Sequence, residues 1–409
     1  MDAFETVTAR VRERIAPDPD ERERLEAATA ALVDRAERAV AELPVSARVV
    51  RAGSTARNTW LAGDRDIDIF VCFSPDLDDG ALEEYGIAVG TGVLPDGREE
   101  YAEHPYVSGT YEGFAVDLVP CYDVETAAEI RSSVDRTPFH TAYVGKRLND
   151  GLADVRLDPA DHGQATFDDP LVVIDPTDPE RNVAAVLSAA NLARFQHVVR
   201  ELLADPRESL FEPPDHEPID AAAVRTAFER RGTTPVAVRV TVPDLIDDQL
   251  WPQLERSRAG VAGLLARHGF DVFRDAVLAE DHDPDRDERI AVLLFELAVS
   301  ERPAVERHEG PPVAARSHAE RFYDTYIEDG DGHGPFVAGG RYVVEREREF
   351  VDAPALLEAE ITEASHGARI QTALAKGYDL LVGEAIGELA DRFDGELAAY
   401  LDPGVRRSR

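Results

Sequence analysis

The sequence predicts a multidomain α+β chain, on three observations. Residues 4–16 and 20–42 repeat apolar side chains at helical spacing, and short strand-like runs separated by turn residues follow them. Beyond residue 220 the pattern reads strand, helix, strand, strand, which suits a small antiparallel sheet backed by helix. The chain has 409 residues, 44% of them apolar, enough for two or three cores.

In the opening helices Leu25, Leu32, Val33, Ala36 and Val40 fall on one stripe, and Pro44 closes the region. A strand is expected from Ala47 to Arg51, then a Gly-Ser turn, a short helix around Arg57 to Leu61, and a strand from Ile67 to Phe73. Tyr106 to Tyr111 and Phe114 to Pro120 read as a hairpin turning at Glu112-Gly113. These elements describe a compact catalytic module over residues 1–145. Residues 151–166 are polar and Gly/Asp-rich, a loop. Leu171 to Ile174 reads as a short strand and Asp175 to Pro179 as a turn. A helix carrying Arg181 is expected from there to about Leu203. Residues 146–220 therefore make a short, helical central domain. In residues 221–409, Val236 to Val242 alternates as a strand, Trp251 to His268 as a helix, and Phe270 to Val277 and Ile290 to Val299 as strands. A glycine-rich loop (Glu328 to Gly340), a strand (Arg341 to Phe350) and a helical end complete the chain.

Acids outnumber bases 81 to 44, for a net charge of −37, and the excess is spread along the whole length. With that apolar fraction the chain is not a disordered polyanion. Lys146 and Lys376 are the only lysines. A uniformly acidic, lysine-poor globular chain points to a salt-rich, halophilic cytoplasm in which self-repulsion is screened. Local arginine clusters, not net charge, then become the signal for nucleic acid. Cys72 and Cys121 lie in apolar runs and read as buried small hydrophobes, not a disulfide framework. The charged N-terminus has no apolar signal core, and no window approaches a membrane span, so a soluble cytoplasmic protein is expected.

The chemistry concentrates in GSTARNTWLAGDRDIDIF, residues Gly53 to Phe70. Asp66 and Asp68 are spaced i,i+2 in an apolar run, so a strand would put both carboxylates on one face. The Gly53-Ser54 turn offers backbone N–H groups and a hydroxyl to phosphate oxygens. Asp117, inside FAVDLV, is a carboxylate mid-strand among apolar neighbours, costly unless paired or metal-bound. A lone pair of aspartates is usually a solvated loop. The upstream Gly-Ser turn and a third aspartate shift the reading to metal-assisted nucleotidyl transfer, with Mg²⁺ ions held by oxygen ligands.

These residues, with YAEHPYVSG, VDLVPCY, VDRTPFH (Val134 to His140), DPTDPERNVAAVLS and DLIDDQLWPQLERSRAG, resemble the archaeal, class I CCA-adding tRNA nucleotidyltransferases from near residue 5 to near residue 400. The resemblance implies an N-terminal nucleotidyltransferase (polymerase-β-like) palm, a shortened helical central domain, and a C-terminal RNA-binding α+β body and tail. It implies untemplated addition of C, C and A to the tRNA 3′ end from CTP and ATP. By it Asp66, Asp68 and Asp117 form the catalytic metal triad, with Asp66 where several relatives carry glutamate. Ser54 and Arg57 would hold the triphosphate, His140 would contact the nucleotide, and Arg181 would read base edges. Partners implied are tRNA (acceptor stem, 3′ end and elbow), ATP and CTP, no membrane, and a second copy through the tail.

One departure qualifies this. Members of the family continue past the VDRTPFH helix through a long helical neck carrying a lysine, a tyrosine and an RGFSGYL-like signature. Here the chain passes from LNDGLAD directly into VRLDPADHG, so several dozen residues are missing between about Asp154 and Val155. Lys146 precedes the gap. Weakened catalysis and exposed apolar surface on the orphaned helices are the expectation. Two other readings stand beside the CCA-adding one. The first is another nucleotidyltransferase, such as a poly(A) polymerase or an antibiotic-modifying transferase. The second is a catalytically impaired tRNA-binding protein gripping tRNA through Arg341, Arg346, Arg348 and Arg369.

Overall fold

The structure is a computed structural model describing residues 2–63, 66–101, 103–126, 129–150, 163–214, 216–283, 286–328 and 332–405. The chain divides into two compact units, residues 1–212 and 213–409.

In the first unit two helices, α1 (Ala3–Ile15) and α2 (Pro19–Ala41), lead into β1 (Ala47–Ala52), α3 (Gly53–Arg57), β2 (Asp66–Phe73) and α4 (Asp79–Val93). Asp2, Asp18 and Asp78 cap α1, α2 and α4 by accepting a backbone N–H from the first turn. The strands β3 (Arg98–Tyr101), β4 (Pro105–Tyr111) and β5 (Phe114–Tyr122) complete a five-stranded sheet in the order β1-β2-β5-β4-β3. The hairpin turns at Glu112-Gly113, both with positive φ, as the sequence suggests. β2 and β5 run parallel, while the other pairs are antiparallel.

Alternation divides this sheet. Ile67, Ile69, Val71 and Phe73 of β2 and Val116 and Leu118 of β5 pack against Leu25 and Leu32 of α2 and Leu82 and Val89 of α4. On the other face Phe70, Cys72, Val119 and Cys121 form a small apolar cluster with Ala52. Asp68 and Asp117 belong to that second face by the same period of two. The two cysteines are free and buried, as expected.

The short helix differs from expectation. It spans Gly53–Arg57, not Arg57 to Leu61, because Asn58 adopts left-handed backbone (φ 58°) and stops it. Next comes α5 (Ser133–Asp150), whose start is tied to the end of β5 by Asp135. That buried carboxylate accepts the backbone N–H groups of Tyr122, Arg131 and Ser132 at 2.8–3.0 Å.

The helix expected to carry Arg181 is absent at that position. Arg181 lies in β7 (Asp178–Asn182), which pairs with β6 (Ile174–Asp175), and the helix α6 begins only at Ala189 (Ala189–Ala204). Asn182 holds the chain extended. Its side chain accepts the Val173 and Ala184 N–H groups and donates to Asp169 and the Leu171 carbonyl. Ser188 caps the helix, its hydroxyl accepting the Asn191 N–H. No side chain of α6 is buried, and Phe195 and Leu203 are each about two-thirds exposed (65% and 66%). This is the exposed apolar surface anticipated on the orphaned helices. The Asp154–Val155 junction lies outside the described residues.

The second unit opens with α7 (Ala221–Arg231), followed by β8 (Thr234–Pro243), α8 (Asp247–Arg267), β9 (Asp271–Ala279) and β10 (Glu288–Val299). The expected βαββ order is present. β14 (Asp379–Val382), which falls within the stretch read as a helical end, adds an edge, giving the antiparallel order β14-β8-β10-β9. Both faces are covered. Val236, Val238, Val240 and Val242 face α8, α10 (Ala353–Glu360) and α11 (Ala368–Lys376), while Ala237, Val292 and Leu294 face α7 and α12 (Ala390–Leu401). Between these elements β11 (Val305–Pro312), α9 (Arg316–Glu328), β12 (His333–Ala338) and β13 (Arg341–Glu347) form a three-stranded sheet with a helix. The glycine-rich stretch read as loop therefore contains β12. Its glycines hid the strand because they weaken the alternating pattern.

Candidate active site

The two sheet aspartates are brought together by register. Asp68 on β2 stands directly opposite Asp117 on β5, and Asp66 lies two residues earlier on the same face of β2, opposite Ala115. Ser108 of β4 faces Asp117 from the other side. Burial pushes the Asp117 carboxyl above its ordinary value, against a lowering hydrogen bond from Ser108. A carboxylate that resists ionisation where it stands is suited to a cation.

Close approach to Asp68 explains why α3 opens on a glycine, Gly53. Its φ is +72°, and a β-carbon built on it would fall 1.8 Å from Asp68 Oδ2. Only glycine lets the backbone pass this close to the carboxylate. Ser54 and Arg57 follow on α3, both partly exposed.

Beside Gly53 opens a cavity of about 680 Å³ lined by Arg57, Arg131, Arg136, His140 and Arg181, with Glu103 the acidic group among its lining residues. Arg136 and His140 sit one turn apart on α5 and so share a face. Arg181 arrives from β7. The three converge on Asp175 of β6, whose side chain is fully buried. Arg181 Nη1 and His140 Nε2 each lie 2.9 Å from Asp175 Oδ2, and Arg136 Nη1 lies 3.7 Å away. The other oxygen accepts the Thr177 N–H (2.9 Å) and hydroxyl (2.8 Å). Burial alone would push the Asp175 carboxyl up. The Thr177 and Arg181 hydrogen bonds and the charge of His140 outweigh it and hold the group below its usual range.

The structure thus gathers Arg57, His140 and Arg181 around one cavity that Gly53 joins to the strand aspartates. Among the described residues no group of three or more His, Cys, Asp or Glu side chains is arranged to hold a metal. The close pair is Asp68 with Asp117, and Asp66 flanks it. Asp175 and Arg136 escape sequence reasoning, although a signal for each exists. Arg136 stands four residues before His140 in VDRTPFH, and Asp175 is an acid ending the apolar run LVVI.

Three of the four tail arginines are engaged inside their own unit. Arg341 donates to the Gly310 carbonyl, and Arg346 and Arg348 pair with Glu306. No helix among the described residues is long and apolar enough to cross a membrane.

Comparison with known proteins extends this geometry along the chain. A nucleotidyltransferase domain family matches residues 33–140, the second domain of tRNA nucleotidyltransferases matches 146–212, and the C-terminal domain of CCA-adding enzymes matches 231–383. The CCA-adding enzyme of Haloarcula marismortui is 51% identical, covering 98% of this chain and 99% of its own length. That of Halobacterium salinarum is 52% identical over 97% and 98%. That of Methanosarcina barkeri is 31% identical over 93% and 94%. The Haloarcula alignment runs over 462 positions, while 98% of 409 residues is about 401, so about 60 aligned positions have no counterpart in this chain. With its acidic composition, the chain matches a halophilic archaeal origin. It belongs to the CCA-adding enzymes, a family of tRNA nucleotidyltransferases.

Proposed function

We propose that this chain extends tRNA 3′ ends with C, C and A, using CTP and ATP and releasing pyrophosphate. The observation that carries the proposal is the junction at Gly53. There the Asp68–Asp117 pair meets an arginine-lined cavity in a protein of net charge −37. A positive cavity in so acidic a chain selects a polyanion such as a nucleoside triphosphate.

The glycine-cleared approach to Asp68 and the burial of Asp117 fit a hard divalent cation with oxygen ligands, and Asp66, Asp68 and Asp117 would hold it. Bound there, two Mg²⁺ ions would favour the ionised 3′-hydroxyl and neutralise the leaving pyrophosphate. The protein's own groups supply position and charge. Ser54 and Arg57 hold the triphosphate, the guanidinium making paired hydrogen bonds to phosphate oxygens. His140 meets the nucleotide from α5. Arg181 donates to cytosine O2 and N3 or to adenine N1, so one donor edge serves both bases.

A second reading has its own support, the roughly 60 absent positions and the uncovered face of α6. Without the segment that would complete the nucleotide wall, the chain binds tRNA and metal but turns over slowly, since each lost phosphate contact costs orders of magnitude. One experiment separates the two. The purified chain is incubated with tRNA lacking CCA, labelled CTP and ATP, and Mg²⁺ in multimolar KCl. Addition of two CMP and one AMP at a rate like that of its relatives supports the first reading. Binding of tRNA without incorporation supports the second, and absence of both removes the two together.

A further inference from the structure

The geometry points to Asp175 as a positioning residue for nucleotide recognition. One buried carboxylate aims Arg181 and His140, with Arg136 alongside, so that their outward N–H edges meet a bound nucleotide. This rests on the nucleotidyl-transfer reading above and adds the residue that sets its base selectivity.

The two carboxylate oxygens divide the work. Oδ1 accepts the backbone N–H and the hydroxyl of Thr177, which locks the side chain in one orientation. Oδ2 is then a fixed point. Arg181 Nη1 and His140 Nε2 both sit 2.9 Å from it, and the His140 ring nitrogen also lies 3.0 Å from the Thr177 hydroxyl. Arg136 has a second tether, Asp178, at 3.1 Å. Arg181 has Asp175 as its one ion-pair partner among the described residues.

A guanidinium is planar, so anchoring Nη1, with the side-chain stem at Nε, narrows the orientations open to its other N–H donors. The anchored Arg181 is still 38% exposed at its side chain, toward the cavity that it lines. Its remaining edge therefore meets the base over a narrowed range of angles, with less side-chain ordering on each binding event. A donor edge favours cytosine and adenine, which present ring acceptors, and disfavours guanine N1–H and uracil N3–H. Removing the Asp175 charge leaves Arg136, Arg181 and His140 adjacent with no shared counter-ion. Asp178 still restrains Arg136, so Arg181 is the group that swings away.

Equilibrium dialysis of the full chain against CTP, ATP, GTP and UTP in multimolar KCl tests this with Asp175→Asn, Arg181→Ala and the double variant. D175N is expected to weaken CTP and ATP by about tenfold, as for loss of a charge-assisted contact, and to narrow their preference over GTP and UTP. The double variant should bind like R181A alone, because Asp175 acts through that guanidinium. Three outcomes overturn the inference while leaving the function standing. These are wild-type affinity and selectivity in D175N, losses that multiply in the double variant, and a lowered melting midpoint with unchanged base preference. A wild-type chain that binds no nucleotide overturns the functional reading itself, and this inference with it.

Discussion

Gly53 passes the Asp68 carboxylate at a distance no side chain could tolerate, a β-carbon there standing 1.8 Å from Oδ2. The positive φ adds about 1–2 kcal/mol of strain for any other residue. Gly53→Ala should therefore lower the thermal midpoint modestly. Displacing Asp68 by even an ångström should cut CMP incorporation by about a hundredfold. Melting and labelled-CTP assays in high salt check both, and an alanine variant with full activity would show that the close approach is dispensable.

Asp175 and Glu296 fix the sign of an acid-side transition. Both carboxyls are held below their ordinary values of 3.8 and 4.5. Burial opposes ionisation of Glu296, but hydrogen bonds from Arg231, Thr233 and Tyr400 outweigh it. The folded state thus favours both ionised forms. Their stabilisation is complete above the ordinary values and disappears as pH falls through the lower folded ones. Denaturant midpoints in KCl should be flat near neutrality and drop below about pH 4. Asp175→Asn should remove part of that drop from the first unit only.

Arg231→Ala strands the carboxylate of Glu296. That side chain is fully buried, 2.6 Å from Arg231 Nε, 2.7 Å from the Thr233 hydroxyl and 3.0 Å from the Tyr400 hydroxyl. Leaving a buried charge short of its main partner costs about 3 kcal/mol. The expected result is a clear fall in the unfolding midpoint of the second unit, read by fluorescence in a denaturant series. A fall within experimental scatter would mean that Arg274, 3.5 Å away, compensates alone.

Phe195→Glu addresses the uncovered face of α6. Because Phe195 is mostly solvent-exposed, the change should move stability by less than about 0.5 kcal/mol. It should reduce concentration-dependent self-association, measured by light scattering in KCl, since the apolar patch is interrupted. A destabilised variant would show that this ring packs in solution.

The elements with strong periodicity were legible. α2, the β4–β5 hairpin and the βαββ core of the second unit follow their patterns because alternation and helical spacing report burial directly. The Arg181 region was not. DPTDPERN reads as a turn and helix start, yet Asn182 makes four hydrogen bonds with neighbouring segments that keep it extended. β14 and β12 escaped because four to six residues carry too little period to rise above helix-like composition or glycine.

By itself the sequence determined the chemical vocabulary: a Gly-Ser turn, three strand aspartates, a scatter of arginines and a halophilic charge balance. It also carried the family, because those motifs keep their order along the chain. The tertiary structure decided which of them act together. Parallel pairing of β2 and β5 set Asp68 against Asp117 across 49 positions of chain, a relation of register that no local pattern encodes. Packing of α5 on the sheet and the β6–β7 hairpin brought Arg136, His140 and Arg181 onto one buried carboxylate. That convergence exists only once the chain has folded, because a buried acid draws its partners through space and not along sequence.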